Sequence, residues 1–160
     1  MQEQLQTATL LNDTRGSKEI AQIIVFRLGQ EEYGLSIEQI KEVVATPKVA
    51  AVPMSPDYIA GIANVRGNIL AIVDLEKKFD LPHPGSDALP PYTLVVESWE
   101  HNMGLLVRQV PNTLSIPEAD IDRSPQVIAE RNYVEGIARV GEDRLIILID
   151  IFKVISKQEL

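Results

Sequence analysis

Two histidines, 23 acidic side chains and no cysteine limit the chemistry open to this chain. Without cysteine there is no disulfide, thiol nucleophile or thiolate metal site. His83 stands between prolines in "LPHPG" and His101 in "SWEHNMG". Neither has a second histidine at ligand spacing, so no metal site is expected. Asp74 and Asp150 occupy matching places in two similar phrases and could form an acid–base pair. Each also follows an apolar run and precedes a short helical stretch, where helix capping accounts for it without catalysis. Serine nucleophiles lack the G-x-S-x-G context. The glycines of "GIANVRG" punctuate apolar runs and match neither a dinucleotide fingerprint nor a P-loop. No catalytic residue and no cofactor are expected.

What remains is surface chemistry. Arg66 stands just before Gly67, between two apolar runs. Its five fixed donors suit a carboxylate or backbone carbonyls across an interface. A solvated turn arginine or an internal ion pair fits the same residue type. Lys41 and Glu42 fit a solvated face, while Ile40 and Val44 fit either core or groove.

The elements that must place these residues are mostly strands. "IAQIIVFRLG" is β-branched and aromatic and ends at a glycine, which is a strand signature. "QEEY" reads as a turn and "YGLSI" as a second strand. "IEQIKEVV" carries both helical and strand periods and is read as a strand. "TPKVAAVPMSPDY" has three prolines, which exclude a central strand and predict a loop. "YIAGIANVRG" and "NILAIVDL" predict a hairpin around Gly67-Asn68. A proline-rich loop over about 80–91 precedes the strands "YTLVVESW", "NMGLLVRQV" and "NTLSI". "PEADIDRSPQVIAERN" reads as a long polar connection. A second hairpin turns at Gly141-Glu142-Asp143, and 151–157 closes as a short helix with Ile151, Phe152 and Ile155 inward.

The chain repeats itself. "IIVFRLGQEEYGLSIEQI" lies over "YTLVVESWEHNMGLLVRQV", so that Gly34 falls on Gly104. "GIANVRGNILAIVDL" lies over "GIARVGEDRLIILIDI", so that Gly61 falls on Gly136 and Asp74 on Asp150. Two similar β units follow, over about 20–80 and 91–150, each marginal alone because its surface is large for its volume. They are expected to pack against one another and to hide their sheet edges. Gly61 and Gly136 then mark bends, bulges or close backbone approaches. Residues 1–19 read as a loose polar tail with no signal-peptide pattern. A net charge of -8 argues against nucleic acid and anionic membrane surfaces as partners. No apolar run is long enough to span a bilayer, and the chain reads as cytoplasmic.

"FRLGQEEYGLSIEQIKEV", Pro53, "YIAGIANVRGNILAIVDLEKKF" and "YVEGIARVGEDRLIILIDIFKVI" together resemble the CheW-like coupling domain of bacterial chemosensory systems. The likeness runs over about residues 20–157, one domain. It implies a mainly β fold of two five-stranded β-barrel subdomains around a shared hydrophobic core. It also implies a non-enzymatic adaptor between the cytoplasmic hairpin tip of a chemoreceptor and the regulatory domain of a CheA-type histidine kinase. Such an adaptor is recruited to membrane receptor arrays without inserting. By the same resemblance Arg66 matches an arginine implicated in receptor contact, Ile40 and Glu42 lie near that surface, and Asn64 and Gly67 shape the motif. Gly136 and the 139–146 hairpin resemble the part of the second subdomain that lies near kinase or ring contacts. The same architecture serves pilus-linked twitching pathways, which the sequence does not separate from flagellar chemotaxis. A small β-barrel enzyme is the remaining alternative, and no constellation of residues supports it.

Overall fold

The first strand is apolar on both faces, and the architecture follows from this. In β1 (Ile20–Leu28), Ile24, Phe26 and Leu28 face one cluster of buried side chains, and Ile23 and Val25 face another. A strand buried on both sides reads as a continuous hydrophobic run, as "IIVF" does. The structure is a computed structural model that describes residues 19–82, 88–97, 102–129 and 132–155, positions 128 and 129 in backbone only. The predicted 1–19 tail, apart from Glu19, therefore lies outside the described residues, as do His83, His101 and the C-terminal residues 156–160.

After β1 come β2 (Glu31–Ser36), a 3₁₀ turn over Ile37–Gln39, β3 (Ile40–Ala45), β4 (Ile59–Val65), β5 (Asn68–Val73) and a short α1 (Leu75–Lys78). The second half supplies β6 (Tyr92–Glu97), β7 (Asn102–Val107), β8 (Asn112–Pro117) and a 3₁₀ turn at Glu118–Asp120. It continues through β9 (Ile121–Asp122), α2 (Pro125–Ala129), β10 (Val134–Val140), β11 (Arg144–Ile149) and α3 (Ile151–Val154).

The strands form a six-stranded sheet, β8-β1-β2-β11-β10-β9, and a five-stranded sheet, β3-β6-β7-β5-β4. In each, two antiparallel hairpins meet through one parallel pair, β2 with β11 and β7 with β5. Each sheet curls. Ile116 of β8 and Ile121 of β9, from opposite ends of the first order, share one interior cluster with Ile146 and Leu148. Val44 of β3 and Ala63 and Val65 of β4 do the same in the second. A third and larger cluster lies between the sheets, drawn from both: Phe26, Tyr33, Leu35, Leu94, Val96, Leu105 and Ile149 are among its members. The fold is thus mainly β, with two barrel-like subdomains around a shared core.

The sheets do not follow the two halves of the sequence. The expected units over 20–80 and 91–150 each give their first hairpin to the other's sheet. β1 and β2 complete the sheet of β8–β11, while β6 and β7 complete that of β3–β5. Strand pairing is chosen by which apolar faces meet, not by proximity along the chain, and a hairpin apolar on both faces fits between two layers. One sheet has the expected five strands; the other gains the two-residue β9.

The expected repeat register is visible in the pairings. Gly34 faces Val25 as Gly104 faces Val95. Gly61 and Gly136 both sit at bulges, and a Cβ on either would press on a backbone carbonyl, of Ala50 and Asp122 respectively. Gly61 also has φ +150, so no other residue fits there without strain. Three local readings change. The 3₁₀ turn at Ile37–Gln39 interrupts the strand read through "IEQIKEVV", with the Ser36 hydroxyl accepting from the Glu38 N–H. The polar connection after β8 contains a second such turn, β9 and α2. Of the closing helix expected over 151–157, Ile151–Val154 are helical and Ile155 follows as its cap, while 156 and 157 lie outside the described residues; Ile151 and Ile155 are buried and Phe152 half-buried.

Candidate functional site

The β4–β5 turn has two central residues, Arg66 and Gly67, closed by the Val65–Asn68 pair. Both have positive φ, +53 and +90, the combination a tight two-residue hairpin demands. The Asn64 side-chain oxygen accepts from the Gly67 N–H at 2.9 Å and fixes the turn from inside. Space around Gly67 is open, so its glycine is required by backbone conformation and not by crowding.

This turn aims Arg66 at Glu42 on β3. Arg66 Nε donates to both carboxylate oxygens at 3.0 Å, and Nη2 lies 2.9 Å from Oε1. β3 and β4 are the two ends of their sheet's strand order, so the pair spans the opening of the curled sheet. A recess beneath it is lined by Val65, Leu70, Val95 and Asn102. Arg66 keeps 71% of its side chain exposed, while Glu42 keeps 22%. The carboxylate pushes the guanidinium above its already high range by hydrogen bond and by charge. The arginine is therefore both paired internally and largely presented to solvent, and its guanidinium carries N–H donors beyond those in the Glu42 contacts.

The other predicted residues fall around this pair. Ile40 opens β3, partly buried against the inter-sheet core. A register shift lies between Ile40 and Glu42, which alters the simple alternation of the edge strand. Lys41, the intervening residue, pairs with Glu97 at 3.5 Å. Arg66, Glu42, Asn64 and Gly67 are joined by direct bonds, and Ile40 adjoins them along β3.

Asp74 and Asp150 are both helix caps. Asp74 Oδ1 accepts from the Lys77 N–H at 3.2 Å, and Asp150 Oδ1 from the Phe152 N–H at 3.0 Å. Among the described residues there is no group of three or more His, Asp or Glu side chains placed to hold a metal ion.

Sequence reasoning missed the other ion pairs. Arg108 donates to Glu76 from Nη2 at 2.7 Å and from Nε at 3.1 and 3.2 Å, and the Glu76 side chain is only 6% exposed. Arg144 on β11 donates to Glu32 on β2 at 2.7 and 2.8 Å and holds that carboxyl below its usual range, against partial burial. Arg123 joins Glu118 at 3.4 Å and Arg139 joins Asp122 at 3.6 Å. Each joins different elements or connections of the fold, and no spacing along the chain signals such a partnership.

The profile of the family described as "CheW-like domain" matches residues 22–159. The chain belongs to the CheW-like domain family. It is 31% identical over 144 residues to the chemotaxis protein CheW of Treponema pallidum, covering 87% of this chain and 84% of that protein. The CheW of Klebsiella aerogenes is 32% identical over 141 residues, with the same shares covered. The crystal structure of the scaffolding protein TtCheW from Thermoanaerobacter tengcongensis superposes with a TM-score of 0.77 at 32% identity, over 89% of this chain and 97% of that one. The chain thus has the fold of a solved CheW protein over most of its length. Among the described residues no helix is long and apolar enough to cross a membrane.

Proposed function

We propose that this protein is a non-enzymatic adaptor that couples chemoreceptors to a CheA-type histidine kinase. Family membership supports the adaptor role. The observation that carries the receptor side is Arg66, held by Glu42 on a rigid turn yet largely open to solvent. A receptor's cytoplasmic hairpin tip docks on this edge, with Ile40 supplying apolar contact and Arg66 a directed cation. The kinase's regulatory domain docks elsewhere, so that one adaptor holds both and each bond raises the effective concentration of the other. Recruitment to receptor arrays follows from the same contacts. Little ordering is lost on docking, because the turn and β3 are already fixed by hydrogen bonds.

Asp74 and Asp150, the candidate acid–base pair, each cap a separate helix, which supports the non-enzymatic reading. Titration calorimetry of Arg66→Glu against a receptor hairpin fragment tests the assignment. Binding is expected to weaken at least about tenfold, with the circular dichroism spectrum unchanged. Wild-type affinity in the folded variant sinks the receptor assignment.

A further inference from the structure

Val52 to Ser55 form a turn whose third position is held by Met54 at φ +64, in the left-handed region. Pro53 before it suits the second position of such a turn, and the third is ordinarily glycine or asparagine. The turn does not yield to its methionine. Ser55 Oγ donates to the Val52 carbonyl at 2.8 Å, and the Ile59 N–H bonds to the Pro56 carbonyl at 3.0 Å. Upstream, Ala50 and Ile62 exchange two backbone hydrogen bonds at 2.8 and 2.9 Å. Met54 gains nothing from the fold in return, since it is 101% exposed. An apolar side chain held in unfavourable backbone and denied burial points to a role outside folding.

We propose that Met54 is a sulfoxidation site of the folded protein, oxidised by hydroperoxides. The thioether sulfur attacks the peroxide O–O bond and takes one oxygen. The sulfur is oxidised by two electrons, and the peroxide is reduced and leaves as water or an alcohol. The chain has no cysteine to compete for the oxidant. Met103, the other described methionine, is 0% exposed within the inter-sheet core. The product replaces an apolar tip, beside the exposed Val52, with a strong hydrogen-bond acceptor. The mark is reversible, because methionine sulfoxide is reduced enzymatically. Since Met54 lies outside every buried cluster, the change is one of surface chemistry and leaves the core intact.

The test uses the full chain, hydrogen peroxide and peptide mass mapping over time. In the folded protein Met54 is expected to gain oxygen about tenfold or more faster than Met103, and the two rates should converge in denaturant. The thermal midpoint of protein oxidised at Met54 should match the untreated sample, and Met54→Leu should leave no fast phase apart from any at Met1. Equal rates at Met54 and Met103 in the folded state, a fast phase that survives in Met54→Leu in peptides other than that of Met1, or unfolding on the first oxidation at Met54 would each overturn the proposal.

Discussion

The β4–β5 and β10–β11 turns are the same element written twice, and they are finished differently. In the first, Arg66-Gly67 makes a two-residue turn that reaches across the sheet opening to Glu42. In the second, the turn lengthens to Gly141-Glu142-Asp143, and Arg144 pairs sideways with Glu32 on the adjacent parallel strand. Glu42 pairs with Val95 on its neighbour as Asn112 pairs with Val25, so the six-stranded sheet has an amide where the five-stranded sheet has a carboxylate. Both sheets nevertheless close around an apolar interior. The Arg66–Glu42 pair is therefore not something the fold requires twice. A charged feature that one half keeps and the other does without is a candidate for function, and this is the weight behind the docking assignment.

The largest expected effect tests the same asymmetry in the helices. α1 carries buried Glu76 where α3, counted from its capping aspartate, carries half-buried Phe152. Phe152 needs no ionic partner; Glu76 does. Arg108→Met should lower unfolding free energy by about 3 kcal/mol, because it removes the two-pronged Arg108 contact from a buried carboxylate. A loss under about 1 kcal/mol in urea titration would mean that Glu76 is well served without Arg108.

Next comes the contrast between the two turns. Arg66→Glu should cost at least about 1.4 kcal/mol of receptor-fragment affinity. The matched Asp143→Arg change at the other turn should leave that affinity unaltered. Equal losses would erase the distinction.

Glu32→Gln should destabilise by about 1 kcal/mol at neutral pH, whereas Glu42→Gln should cost less, since its partner is so exposed. The Glu32 carboxyl titrates below its unfolded range. Its contribution is therefore present above that range and lost as pH falls through the lowered value. Denaturation midpoints across pH 3–7 would reveal this slope, and a wild-type curve parallel to that of Glu32→Gln would contradict it.

The smallest effect has the opposite sign. Burial and then the neighbouring Asp150 charge raise the Glu135 carboxyl, against weaker help from Arg123 and Lys153. The folded chain then holds that proton more tightly than the unfolded chain. Stability is lost as pH rises from the ordinary carboxylate range through the raised one. Glu135→Gln should gain a few tenths of a kcal/mol at pH 7, with the gain fading toward acid. Ala60 occupies the matching place before Gly61, so the first half offers a natural control.

Much of the candidate site was legible residue by residue. Arg66 before a glycine turn, Asn64 within the same motif and Glu42 on an apolar strand were all visible as local types. That Glu42 binds Arg66 was not, because the two meet only when the ends of a curled sheet come together. Of the alternatives open for Arg66, the structure combines two, an ion pair and an exposed position. The buried Glu76 was invisible for a related reason. In "DLEKKF" a glutamate reads as solvated until β7 brings Arg108 over it.

The amino-acid sequence alone determined whatever depends on neighbours along the chain. The duplicated phrase, the strand runs, the breaks at prolines, the glycines at Gly61 and Gly136 and the caps at Asp74 and Asp150 all follow from backbone sterics and side-chain period. The tertiary structure alone decided which strand lies beside which. Backbone hydrogen bonds are nearly alike for any pairing, so the choice falls to the burial of whole faces. It was the two-sided apolar hairpins, β1–β2 and β6–β7, that made exchange between the halves the arrangement with three filled cores.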